Sequence, residues 1–130
     1  MPVILSHVDL RVRDRAQATQ FYDAILSLLG GVKDEGKTFT TWAIPPSDAP
    51  EDWDGGDEWF GITEDPAMTP GSTRIAFCAP SRGTVDAIAV YLPAIGARNI
   101  ELPDGTYGPN YYACFFEDPD GNKLEVCHIG

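Results

Sequence analysis

The sequence predicts an α+β fold made of two strand–helix–strands units in tandem. Three observations carry this. Apolar residues recur at helical spacing in two separate windows, each opened by a capping side chain and closed by glycine. Short alternating or apolar runs bounded by Pro, Asp and Gly surround both windows. A shift of 67 positions superposes the two sets of caps and stripes.

In the first unit, Val3 to Val12 reads as a strand, with Val8, Leu10 and Val12 alternating against His7, Asp9 and Arg11. Asp14 is a suitable N-cap. Ala18, Phe21, Tyr22, Ile25, Leu26 and Leu29 then form one apolar stripe, closed by Gly30-Gly31. Lys37 to Ile44 reads as a single strand, Pro45 to Asp57 as a loop, and Trp59 to Thr63 as a short strand.

The pattern restarts after Thr69-Pro70-Gly71-Ser72. Thr73 to Ala79 is a strand and Ser81 an N-cap. Val85, Ile88, Ala89, Leu92 and Ile95 form a second helical stripe, which Pro93 should kink or end early. Asn99 to Leu102, Tyr111 to Glu117 and Lys123 to Cys127 read as strands, the last two joined by the turn Asp118-Pro119-Asp120-Gly121-Asn122. The shift of 67 places His7 on Arg74, Asp14 on Ser81, Phe21 on Ile88 and Ile25 on Leu92. Such a repeat fixes the architecture. Residues 1–68 form the first module and 69–130 the second, packed as one compact domain.

Composition bounds the function. With 43% hydrophobic and 22% charged residues over 130 positions the chain is globular. A formal net charge of −11 disfavours nucleic acid and anionic membranes as partners and favours solubility. No apolar run approaches the ~18 residues of a membrane span. Cys78, Cys114 and Cys127 are an odd set without zinc spacing, and each falls in an apolar run, so all three read as buried small hydrophobes. The opening Met1-Pro2-Val3-Ile4-Leu5-Ser6-His7 carries no basic segment or cleavage site, and a cytoplasmic location is the expectation. Gly30-Gly31 and Gly55-Gly56 are too bare to count as nucleotide motifs.

Three segments stand out: His7-Val8-Asp9-Leu10-Arg11-Val12 followed by Phe21-Tyr22, then Arg74-Ile75-Ala76-Phe77, and the closing run Phe115 to Val126 with its D-P-D-G-N turn. Together they resemble the vicinal-oxygen-chelate superfamily of glyoxalases, bleomycin-resistance proteins and extradiol dioxygenases. The resemblance implies two βαβββ modules whose strands curve into a half-open mixed sheet, a cup. It also implies a homodimer and a divalent metal (Zn, Ni, Fe or Mn) held by the first and last strands of each module. Carried over residue by residue, those positions are His7, Gly61, Arg74 and Glu125. Only His7 and Glu125 are metal donors. Gly61 offers no ligand, and Arg74 has no free lone pair. Strand alternation points His7 and Glu125 into the cup and Glu58 away from it. Arg74 is expected to pair with Glu125 in place of a metal charge, so no cofactor at all is the equal alternative.

The remaining candidates are aromatic or basic. Tyr107, Tyr111 and Tyr112 flank a Gly-Pro turn suited to a pocket mouth, Trp59 shares the parity of Gly61, and Arg11 shares the face of His7. Glu125, His7 and Tyr111 are the catalytic candidates. Arg74, Trp59, Tyr107, Tyr112 and Arg11 are the ligand-binding ones, and His128, beyond the last strand's core, reads as a surface residue or as a group supporting the ligands. Three functions stay open for a small organic ligand in the cup. One is a metal-dependent lyase, isomerase or dioxygenase. The second is a metal-free, drug-resistance-like binding protein. The third is a metal-free enzyme using the same residues.

Overall fold

The computed structural model describes residues 4–45, 48, 50–53 and 58–130. Val3 and Gly55-Gly56 lie outside the described residues. The chain divides into two units, Met1–Met68 and Thr69–Gly130. In chain order the elements are β1 (His7–Val12), α1 (Arg15–Leu26), β2 (Val32–Glu35), β3 (Phe39–Ala43), β4 (Trp59–Glu64), β5 (Arg74–Cys78), α2 (Arg82–Tyr91), β6 (Arg98–Asp104), β7 (Tyr111–Glu117) and β8 (Lys123–Ile129). The tandem βαβββ order expected from the sequence is present.

Each helix starts where a short polar side chain takes over an orphaned amide. Asp14 Oδ1 accepts from Gln17 N at 3.0 Å, and Ser81 Oγ from Thr84 N at 3.1 Å. The turns that follow each helix close on a glycine in the left-handed region, Gly30 at φ +87° and Gly96 at φ +93°. There Gly31 N donates to Leu26 O at 2.8 Å and Ala97 N to Leu92 O at 3.0 Å, the paired closure that a left-handed residue allows. Leu26 thus matches Leu92 at a shift of 66, against 67 at the caps, so the span from cap to closing glycine is one residue longer in the first unit. Helix α2 stops at Tyr91, two residues before Pro93, as the missing amide of proline requires.

In the first unit the strand order is β1-β4-β3-β2, with β1 parallel to β4 and the other pairs antiparallel. The stripe of α1 packs on the sheet through Phe21, Tyr22 and Ile25, all at most 2% exposed, against Trp42, Phe60 and Ile62. Tyr22 meets Phe60 at 5.1 Å and Trp42 at 6.2 Å between ring centroids. Trp42 Nε1 donates to Asp23 Oδ1 at 3.0 Å, which satisfies the one polar atom of that buried indole. The expected single strand Lys37–Ile44 is instead the second arm of a hairpin. Its first arm, β2, is exposed at all four positions and carries no buried apolar residue to betray it.

The second unit repeats the order as β5-β8-β7-β6. Val85, Ile88 and Leu92 are fully buried, together with Cys114, Phe116, Leu124 and Val126 of the sheet. The turn before β8 is built by Asp118, only 1% exposed. Its Oδ1 accepts from the amides of Asp120 and Asn122 at 2.9 Å, and Oδ2 from Asn122 Nδ2 at 2.8 Å. Two expectations are corrected. Cys78 is exposed, unlike buried Cys114 and Cys127, because it faces away from α2 near the end of β5. His128 lies within β8, half-buried, with Nδ1 2.9 Å from Ala79 O. Among the described residues no helix is long and apolar enough to cross a membrane.

Candidate ligand site

Strand register decides which side chains share a face. Glu125 lies beside Ala76 of β5 and Phe115 of β7, while Cys127 lies beside Cys78 and Ala113. Successive strand residues alternate sides, so Leu124, Val126, Cys114 and Phe116 go to α2. Arg74, Glu125, Cys127, Tyr111 and Phe115 take the opposite face. Glu125 is 7% exposed on this face. The hydroxyl of Tyr111, two rows away, reaches along the strand and donates a short hydrogen bond to Glu125 Oε2. That bond, then burial, push the Tyr111 phenol well above its ordinary pKa, with Cys127 adding to the shift. Tyr107 packs edge-on against Tyr111 and Phe115, at 6.1 and 5.7 Å between centroids.

Arg74 does not pair with Glu125 as expected. Its Nη1 donates to Leu124 O at 2.6 Å, and its guanidinium lies 5.0 Å over the Phe115 ring. Register explains this: Arg74 is opposite Lys123, one row short of Glu125. A backbone carbonyl and an aromatic face are nearer partners. Tyr112 is also placed apart from Glu125. Its hydroxyl donates to Asp86 of α2 at 2.6 Å and Arg82 covers its ring, so it belongs to the helix side.

In the first unit His7 lies beside Trp59 in register and stacks on it at 4.1 Å with 4° between planes. Ser6 Oγ is 3.0 Å from His7 Nδ1, and Phe39 stacks beyond Trp59 at 6.4 Å. Asp9 is held by Thr63 Oγ1 at 2.8 Å and by Arg11 at 3.1 Å. The register puts Gly61 beside Asp9 as it puts Glu125 beside Ala76, so Gly61 is the first-module equivalent of Glu125. A Cβ at Gly61 would sit 2.7 Å from Trp59 Cζ3. The tryptophan thus fills the space that a ligand side chain would need there.

The donor set does not fit a four-ligand metal centre. Of the four equivalent positions one is glycine and one is a guanidinium, which repels a cation. Among the described residues no three His, Cys, Asp or Glu side chains converge. A cavity of about 610 Å³ opens elsewhere, between α1 and the β2–β3 hairpin. Its charges are already engaged. Arg15 bonds the carbonyls of Gly36 and Lys37, and Lys33 pairs with Asp23 and Glu35.

Phe115, Cys78 and Cys127 were not among the sequence candidates for this face. Counting by two from Glu125 along β8 and across to its register partners would have found them.

Residues 4–126 match the family described as Glyoxalase/Bleomycin resistance protein/Dioxygenase superfamily. No curated protein matches the chain. Among solved structures, a glyoxalase/bleomycin resistance protein from Albidiferax ferrireducens T118 is 27% identical, with a TM-score of 0.79 over 98% of this chain and 100% of that one. A putative glyoxalase from Bacillus halodurans is 25% identical, with a TM-score of 0.68 over 96% and 95%. The fold is shared by the fosfomycin resistance protein FosX from Listeria monocytogenes complexed with Mn(II) and sulfate, at 20% identity and a TM-score of 0.69 over 100% and 93%. Repeat, register and family match agree, and the chain belongs to the glyoxalase/bleomycin resistance protein/dioxygenase superfamily.

Proposed function

We propose that the chain binds a small planar organic molecule, cationic or rich in hydrogen-bond donors, on the second-module face around Glu125, without a metal ion. The observation that carries this is a carboxylate only 7% exposed whose hydrogen bond comes from a tyrosine instead of a cation. Glu125 keeps lone pairs for a donor on the ligand. Tyr107 and Phe115 offer aromatic faces beside it. The raised pKa of Tyr111 makes it a fixed donor and not a base, which favours holding a ligand over moving its protons. The net charge of −11 draws cations toward the protein.

A thermal-shift screen of planar and cationic compounds, run with chelator present, tests the reading. Glu125→Gln and Tyr111→Phe should each weaken the best hit about tenfold, which corresponds to about 1.4 kcal/mol. No hit, a hit indifferent to both substitutions, or binding that appears only on adding Mn(II) would refute it.

A further inference from the structure

Register sets Cys78 of β5 directly beside Cys127 of β8, on the face that carries Glu125. Both thiols are free. Neighbouring strands run about 4.7–4.9 Å apart, inside the Cα separation of about 4.4–6.8 Å that a disulfide spans. The pair is unequal in access. Cys78 is exposed, whereas Cys127 is 2% exposed. Burial pushes the Cys127 thiol up; nearby Tyr111 opposes this, and nearby Cys78 and Glu125 raise it further. Cys114 points the other way, into the helix-side core, and burial pushes its thiol up to about 11.

We propose that Cys78 and Cys127 are a redox-responsive pair that closes to a cross-strand disulfide when a peroxide reaches Cys78. The Cys78 thiolate attacks one peroxide oxygen, the O–O bond breaks, and a sulfenic acid and hydroxide result; the hydroxide takes up the proton that the Cys78 thiol released and leaves as one water. The Cys127 sulfur then attacks the Cys78 sulfur, the S–O bond breaks, and the hydroxide leaves as a second water with the Cys127 proton. Two thiols give up two electrons in all and one hydrogen peroxide takes them. A thiol reductant reverses the closure by exchange through a mixed disulfide. The inference is independent of what the Glu125 face binds.

The chain itself supplies a clean assay. Cleavage after Arg74, Arg82, Arg98 and Lys123 puts the three cysteines on three different tryptic peptides. Reduced full-length protein is treated with hydrogen peroxide, alkylated in denaturant, digested and weighed. The expected product is peptide 75–82 joined to peptide 124–130, lighter than the two reduced peptides by two hydrogens and restored by dithiothreitol. Peptide 99–123, with Cys114, should be fully alkylated. Cys78→Ser, at an exposed site, should leave Cys127 fully alkylated after the same treatment. Over-oxidation of Cys78 with Cys127 still alkylated would overturn the proposal. So would a bond linking two copies of the chain, or one involving Cys114.

Discussion

Replacing Tyr111 by Phe removes one hydroxyl and leaves the ring contacts with Tyr107 in place. The lost group is the donor to Glu125 Oε2. A hydrogen bond to a charged acceptor contributes about 1.5–3 kcal/mol, and stranding a buried acceptor costs a similar amount. Glu125 is 7% exposed, so water replaces the phenol poorly, but the Tyr111 end is only part-buried and partial rehydration offsets some of the loss. The expected destabilisation at neutral pH is about 1–2 kcal/mol, read from urea unfolding. The pH dependence supplies a second signature. An ordinary tyrosine ionises near pH ~10, and Tyr111 is held above that by Glu125 and by burial. The folded state therefore keeps a proton that the unfolded chain loses. The contribution of the phenol is complete below pH ~10 and declines as pH rises toward the folded value. The gap between wild type and Tyr111→Phe should narrow above pH ~10. A loss below about 0.5 kcal/mol, or a gap that stays constant through this range, would refute the assignment of the hydrogen bond.

Gly61→Ala should force the Trp59 ring off its position, since the new Cβ would stand 2.7 Å from Cζ3. The expected loss is about 1–3 kcal/mol, with a change in tryptophan fluorescence. Asp14→Ala and Ser81→Ala each remove a helix cap and should cost about 1 kcal/mol apiece, adding in the double variant because the caps belong to separate helices. Ile88→Ala, at a position with no exposure, should cost about 2–5 kcal/mol by leaving a cavity under α2, measured by thermal or urea unfolding.

Where one face of an element is buried, the sequence was readable. The stripes of α1 and α2, their caps and the helix-ending effect of Pro93 follow from spacing alone. Alternation alone places His7 with Trp59 and Gly61, and Glu125 opposite Leu124 and Val126. Strand β2 was not readable because Val32-Lys33-Asp34-Glu35 is an exposed edge, with no buried face to impose a period of two. The Arg74–Glu125 pair failed for a different reason. Parity puts both on one face, but the row along the strand depends on register, and register puts Lys123 opposite Arg74. The Tyr111 contact is similarly non-local, since the side chain crosses two rows to reach Glu125. Tyr112, its neighbour, was expected at a ligand and instead reaches Asp86.

The most direct test of a metal-independent site at Glu125 is calorimetric titration of the best screening hit, first with chelator and then with saturating Mn(II). The same affinity is expected in both, with about a tenfold loss in Glu125→Gln. Binding that is absent in chelator and restored by Mn(II) would contradict it.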